Sequence, residues 1–397
     1  MQNITFLKKH FHFIQKWRTQ KENVRINIFL NRKNLSLLPN TSFNMGQNRC
    51  NPKKILFIAD ALAPYGGVES RLKNISKSLS NKYWETFFLT EKNLYTQLKD
   101  FRNFTLKFRA DNLGECLLDI VRTHKIDVVE FQFKYSRYLR FINIKKLRLF
   151  CVVGCTVNGF DKSITRRLLK NFDYHICVSK DLVQRYKKIP SDWFPIIYNM
   201  IPPEPLLWSF NNQKKAIHIS RISDEYETRI SGFIDFCRSN DIPFEIAGPQ
   251  ESKDAKRVIN RLQKKYKIPN LAFIGSIDTL SFLKENITRY LFVAGCGNIA
   301  LEGGCLGFPV LITSAISSIP PAFLTPDNIN YFLDRNFTIR EREVITINPL
   351  IINSPSSMEE ASICIHKFIT ENRNLKTELK KYQEILDSAL VEKSKKH

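Results

Sequence analysis

The chain has 397 residues, 43% of them hydrophobic and 25% charged, with a formal net charge of +23. That balance, with 30 phenylalanines to bury, excludes a mainly disordered chain, and the length predicts two domains. No apolar stretch approaches the roughly 20 residues of a membrane-spanning helix, and the polar start lacks the apolar run of a secretory signal.

The nine cysteines are scattered and contain no Cys-x-x-Cys; the spacing of Cys151 and Cys155 has no matching His or Cys pair. They read as small buried residues in a reducing compartment. The charge is one-sided. Residues 1–200 carry 36 basic and 15 acidic groups, whereas residues 201–397 carry 25 and 23. Such asymmetry points to one domain facing an anionic partner: nucleic acid, a membrane surface or a phosphorylated acceptor.

Residues 1–52 form a basic extension. Phe6, Phe11, Phe13, Ile14 and Trp17 interleave with Lys8, Lys9, Lys16 and Arg18. This is the chemistry of an amphipathic helix lying on a membrane, or of a helix packed on the domain behind it. A connector rich in Asn, Ser and Pro over 34–52 precedes Lys54–Ala59, an apolar run that reads as a buried parallel strand. A loop with Pro64, Gly66 and Gly67 leads into helical spacing at Val68, Leu72, Ile75 and Leu79. A strand follows at Thr86–Thr90, a helix at Leu113–Thr123, then strands at Asp127–Phe131, Phe150–Gly154 and His175–Ser179, with Ser179 placed to cap a helix from Lys180. Pro195, Pro202, Pro203 and Pro205 mark a stiff linker.

A second series then begins, with strands at Ala216–Ser220, Phe244–Gly248, Leu271–Gly275, Tyr290–Ala294 and Val310–Thr313. Helices are predicted over Arg229–Asn240, Asp254–Tyr266 and Ile299–Leu306. The charges of the helical region 357–390 (Glu371, Lys376, Glu378, Lys380, Lys381, Glu384) predict largely exposed faces. Strands alternating with helices predict two parallel sheets, each covered on both faces. The expected units are a basic extension over 1–52, an α/β domain over 53–200, a second over 214–355, and a helical region over 356–397.

Ligands of doubly wound sheets bind beyond the C-terminal strand ends, and three loops there stand out. In Ala63-Pro-Tyr-Gly-Gly-Val-Glu69, two glycines at a helix start let backbone N–H groups approach an anion. In Ala216-Ile-His-Ile-Ser-Arg221, a cation directly after a strand can hold phosphate. The stretch from Val293 to Ile312 holds five of the chain's 14 glycines around Glu302, a lone acid among small residues that predict a close approach by backbone or ligand.

In this order the loops resemble GT-B glycosyltransferases, and within them the retaining family 4 type, over roughly residues 53–385. Lys54–Glu69 resembles that family's opening strand and Gly-Gly loop. Val178-Ser179 and Ile197-Tyr-Asn199 resemble stretches late in its first domain. Ser220-Arg221 resembles its Gly-Arg element, Ile246-Ala-Gly248 and Phe273-Ile-Gly275 its strand ends, and Glu302–Ile312 its signature around a second glutamate. The resemblance implies two Rossmann-like domains facing across a cleft, with Gly66 and Gly67 bordering donor and acceptor and Arg221 on the diphosphate. Glu302 would accept hydrogen bonds from the ribose, backbone amides near Asn298–Ala300 would meet phosphate at the helix N-terminus, and Gly297, Asn298 and Ile299 would be among the donor-binding positions.

Three positions depart from the family pattern. Ala294 stands where the family has its other glutamate. Asn158, in Thr156-Val-Asn158, replaces a histidine and with Glu302 makes the implied catalytic pair. Tyr226 stands where a lysine is usual, with Arg229 as a substitute cation. The expected activity is transfer of a hexosyl or related sugar from a nucleotide-sugar, a UDP-sugar first, to a lipid-linked or surface-polysaccharide acceptor such as lipopolysaccharide or capsule. No metal, cofactor or nucleic acid is expected. The basic half would place the protein peripherally on the inner face of an anionic cytoplasmic membrane. The rival readings are a non-catalytic partner subunit and a basic nucleic-acid-binding protein.

Overall fold

The computed structural model describes residues 52–62, 66–80, 84–93, 102–105, 113–132, 151–156, 172–185, 194–210, 215–268, 271–339 and 354–394. The first lobe is built on β1 (Lys53–Leu62), β2 (Trp84–Asn93), β3 (Arg102–Thr105), β4 (Val128–Gln132), β5 (Cys151–Thr156) and β6 (Tyr174–Cys177). Its helices are α1 (Gly67–Ser80), α2 (Leu113–His124) and α3 (Lys180–Arg185). The second lobe has β7 (Lys215–Ile219), β8 (Phe244–Ala247), β9 (Phe273–Gly275), β10 (Tyr290–Gly295), β11 (Val310–Ile312) and β12 (Ala322–Phe323). Between them run α4 (Asp224–Ser239), α5 (Lys253–Tyr266), α6 (Thr279–Glu285), α7 (Asn298–Cys305) and α8 (Ile329–Asp334), and α9 (Pro355–Asn372) and α10 (Leu375–Ser394) complete the chain.

The sheets run β3-β2-β1-β4-β5-β6 and β12-β11-β10-β7-β8-β9, parallel throughout except for β11 with β12. Counted from its own first strand, the second sheet repeats the order of the first. Each therefore has a switch point, between β1 and β4 and between β7 and β10, where the loops diverge and leave a crevice. Continuous burial explains the unbroken apolar runs: Ile55–Ile58 and Phe292–Ala294 are fully inaccessible because helices cover both faces.

Several elements differ from the sequence expectation. Helix α4 starts at Asp224, five residues early, since its acidic first turn (Asp224, Glu225, Glu227) suits the positive helix end but carries no apolar signal. β3, α6, β12 and α8 are additional; they are short, and periodicity needs length to register. The Ser179 hydroxyl is buried without a hydrogen-bond partner, so it does not cap α3. The glycines of α7 serve packing. A side chain on Gly303 would press on Val293 of β10, and one on Gly304 would collide with Ile365 and Ile369 of α9. Gly304→Ala is accordingly expected to cost about 1–3 kcal/mol by overpacking, read as a lowered midpoint in thermal or urea unfolding.

The C-terminal region is two helices broken at Arg373–Asn374. α9 packs into the second core, and α10 returns to the first, burying Leu379, Tyr382, Leu386 and Ala389. Glu378, expected on an exposed face, is only 1% exposed and accepts from the Tyr198 N–H at 3.0 Å. The chain thus crosses between lobes twice, side by side. Ile201 N–H donates to the Arg373 carbonyl at 3.1 Å, and Leu375 N–H donates to the Ile201 carbonyl at 3.0 Å. Arg373 is buried, stacks 3.5 Å over the Tyr198 ring and donates to the Leu333 carbonyl.

Candidate functional site

The three loops singled out in the sequence meet where the two switch points face each other. Gly66 and Gly67 open α1 after β1, Arg221 follows β7, and Gly295–Asn298 link β10 to α7. Gly66 has φ +142, a conformation open to glycine. A Cβ there would collide with the Glu69 carboxylate and stand 2.8 Å from Arg221 Nη2. A buried carboxylate of the first lobe and a half-buried guanidinium of the second therefore share the space over Gly66. Beside them, Asn298 Nδ2 donates to the Gly67 carbonyl at 3.3 Å, joining the start of α7 to the start of α1.

Helix α7 begins without a side-chain cap, so first-turn N–H groups of Asn298 and Ile299 are placed for an anion. The N-cap Gly297 has φ +61, and its own N–H is taken by the Phe337 carbonyl at 3.1 Å; that amide is unavailable to a donor. The Ile299 side chain packs on Gly295, leaving its backbone as its contribution.

Arg229 does not stand free as the expected substitute cation. It lies in α4, donates through Nη1 to the Thr313 carbonyl at 2.5 Å, and sits 5.9 Å over the Tyr226 ring. Tyr226 is half-buried near Arg221 and Cys296, and burial pushes its phenol up. Ala294 is fully buried in β10, paired with His218 of β7 and Leu311 of β11, so a carboxylate at that position would be carried into the core. His218 itself is buried, and burial, with Arg229 nearby, pushes it down to about 3, which keeps the imidazole neutral. Asn158 lies outside the described residues.

Glu302 is half-buried on α7, between Ser70 and Lys73 of the first lobe and Asp278 and Thr279 of the second. Its carboxyl is pushed up to about 7 by burial, aided by Asp278 and opposed by Lys73 and by hydrogen bonds from Thr279 and Ser70. Lys73 of α1 pairs with Asp278, the N-cap of α6, at 3.5 Å. Ser70, Lys73, Asp278 and Thr279 thus surround the acid from both lobes, and sequence reasoning missed all four because each is an ordinary polar helix residue in its local context.

The sign of the resulting pH effect follows from linkage. The folded protein holds the Glu302 proton to higher pH than the unfolded chain, so this group lowers stability as pH rises from about 4.5 through about 7. Glu302→Gln is expected to unfold at a higher temperature than the natural chain at pH 8 and at a similar one at pH 5. Melting curves at the two pH values check this, and an equal loss at both would overturn it.

No family model matches the sequence, and no curated protein matches it. Among solved structures, a glycosyltransferase from Rickettsia africae ESF-5 is similar at TM-score 0.60 and 14% identity, over 86% of this chain and 99% of that one. WaaG, a glycosyltransferase involved in lipopolysaccharide biosynthesis, is similar at TM-score 0.54 and 12% identity, over 84% of this chain and 99% of that one. An alpha-glucosyltransferase solved with UDP and a 13-mer DNA is similar at TM-score 0.52 and 12% identity, over 85% of this chain and all of that one. With both sheets in the same doubly wound order, the chain has the GT-B fold of the glycosyltransferases.

Proposed function

We propose that the protein is a glycosyltransferase that moves a sugar from a nucleotide-sugar, a UDP-sugar first, to a lipid-linked or surface-polysaccharide acceptor such as lipopolysaccharide or capsule. The observation that carries the reading is the meeting of Gly66–Gly67, Arg221 and the α7 N-terminus between two facing switch points. A cation and a helix start can together stabilise the charge that develops on a leaving diphosphate. Glu302 accepts the ribose hydroxyls in this reading, with the diphosphate between Arg221 and the amides of Asn298 and Ile299. Retention of anomeric configuration and kinship with family 4 rest on the motif resemblance.

The test is a thermal-shift screen of nucleotide-sugars followed by a transfer assay. A cognate donor at 100 times its Kd should stabilise the fold by about 2.7 kcal/mol. A chain that no nucleotide stabilises would overturn the reading. The Ala294, Asn158 and Tyr226 departures favour a second reading, a partner subunit that binds nucleotide but neither hydrolyses nor transfers sugar.

Among the described residues no helix is long and apolar enough to cross a membrane. The basic half of the sequence supports peripheral attachment through residues 6–18 and through Lys134, Arg137, Arg140, Lys145, Lys146 and Arg148, which lie outside the described residues. Sedimentation with anionic vesicles should be strong at low salt and fall at 0.1 M and above, where the screening length is about 10 Å. Indifference to anionic vesicles at low salt would assign the charge to another partner.

A further inference from the structure

We propose that Asn199 is a positioning residue. It touches no donor, but it fixes the Asn298 end of α7 against Gly67 and so makes the shape of the phosphate seat depend on the crossing between the lobes. The choice of ligand rests on the nucleotide reading above; the coupling itself rests on geometry.

Asn199 lies on the crossing segment, two residues before Ile201, whose N–H and carbonyl both pair with the returning crossing. Its side chain is 2% exposed. Its Nδ2 donates to Asn298 Oδ1 at 2.7 Å and, at 3.4 Å, to Asn336 Oδ1. Asn298 spends its own Nδ2 on the Gly67 carbonyl at 3.3 Å. The direction of this chain is forced. A backbone carbonyl can only accept, so Asn298 must turn its amino group to Gly67 and its oxygen to Asn199, which must then donate. Asn199 Oδ1 is left buried without a hydrogen-bond partner. The amide is therefore held in the orientation its donor requires, although its acceptor is left unsatisfied.

Asn336 ties the arrangement to the same helix start from a third place. It adopts φ +51 and precedes Phe337 at φ +54, whose carbonyl takes the Gly297 N–H. Three asparagines far apart in sequence thus converge on the first residues of α7, where the lobes touch. Apolar side chains would fill the same space, but they would not transmit a direction. Rotation of one lobe about the paired crossings changes the Asn199–Asn298–Gly67 chain directly, and through it the position of the α7 amides relative to α1.

The test uses the full-length chain with two variants that lack the donor: Asn199→Asp, of the same shape, and Asn199→Leu, of similar size and uncharged. Asn260→Asp, the same change at an exposed position of α5 away from the crossing, is the control. UDP is titrated by calorimetry, and the nucleotide-free proteins are compared by small-angle X-ray scattering. Both Asn199 variants should bind UDP about tenfold more weakly, as expected for one lost hydrogen bond, and show a larger radius of gyration. Asn260→Asp should match the natural chain in both measurements. In a transfer assay the donor KM should rise while kcat changes less.

Folded Asn199 variants with natural UDP affinity and natural scattering would overturn the proposal. If neither variant folds, Asn199 is a folding residue and the proposal falls as well. If the natural chain binds no nucleotide, the nucleotide reading fails, and the scattering comparison still decides whether Asn199 couples the crossing to the cleft.

Discussion

Arg221→Ala is expected to weaken binding of a nucleoside diphosphate by about 1.5–3 kcal/mol, or roughly ten- to more than a hundredfold, and to slow transfer in proportion. The guanidinium stands at the C-terminal end of β7, beside the switch point and within reach of the Gly66 backbone of the opposite lobe. Over Gly66 its neighbour is the Glu69 carboxylate; a diphosphate would offer it another anion in the same space. Arg221→Lys should restore only part of the loss, because a point charge replaces a planar fork. Calorimetry with UDP, alongside donor turnover, reads both effects. An alanine variant with natural affinity and rate would remove Arg221 from the site.

Glu130→Ala should produce the largest loss of stability, about 3–5 kcal/mol, because it removes a carboxylate paired with a buried charge. Arg71 of α1 and Glu130 of β4 pair at 3.0 Å with both side chains inaccessible to solvent. Gln132 Nε2 donates to the same carboxylate at 2.6 Å, and the Tyr382 hydroxyl of α10 donates to its other oxygen. One carboxylate thus joins the Gly-Gly helix, the central sheet and the returning C-terminal helix. Urea unfolding measures the loss directly. Tyr382→Phe should cost less, about 1–3 kcal/mol, since it removes one hydroxyl and leaves the ion pair intact. Equal and small losses in the two variants would show that the cluster holds nothing together.

The fold was legible in sequence wherever burial on both faces left an unbroken apolar run, as in Lys54–Ala59 and Tyr290–Ala294. Such runs report a covered parallel strand whatever the rest of the chain does. The spacing at Leu72, Ile75 and Leu79 reported a helix for the same reason, and all three are fully buried. Of the site, the glycines and Arg221 were legible because backbone approach and a cation after a strand are local choices. Glu302 could be picked out as a lone acid, but what surrounds it could not.

The sequence by itself determined the alternation of strands and helices, the place of the loops at strand ends, and the asymmetry of charge. Each depends on near neighbours or on composition, and survives any arrangement of the parts. Only the tertiary structure decided that Gly303 and Gly304 face Val293, Ile365 and Ile369, and that Arg229 is committed to Thr313. It likewise decided that α10 buries Glu378 and Tyr382 in the first lobe, and that Asn199, Asn298 and Gly67 form one directed chain. Each of these pairs segments far apart in the chain. A side chain's role there is set by which group it meets across the packed interface, and no local pattern of residues encodes that meeting.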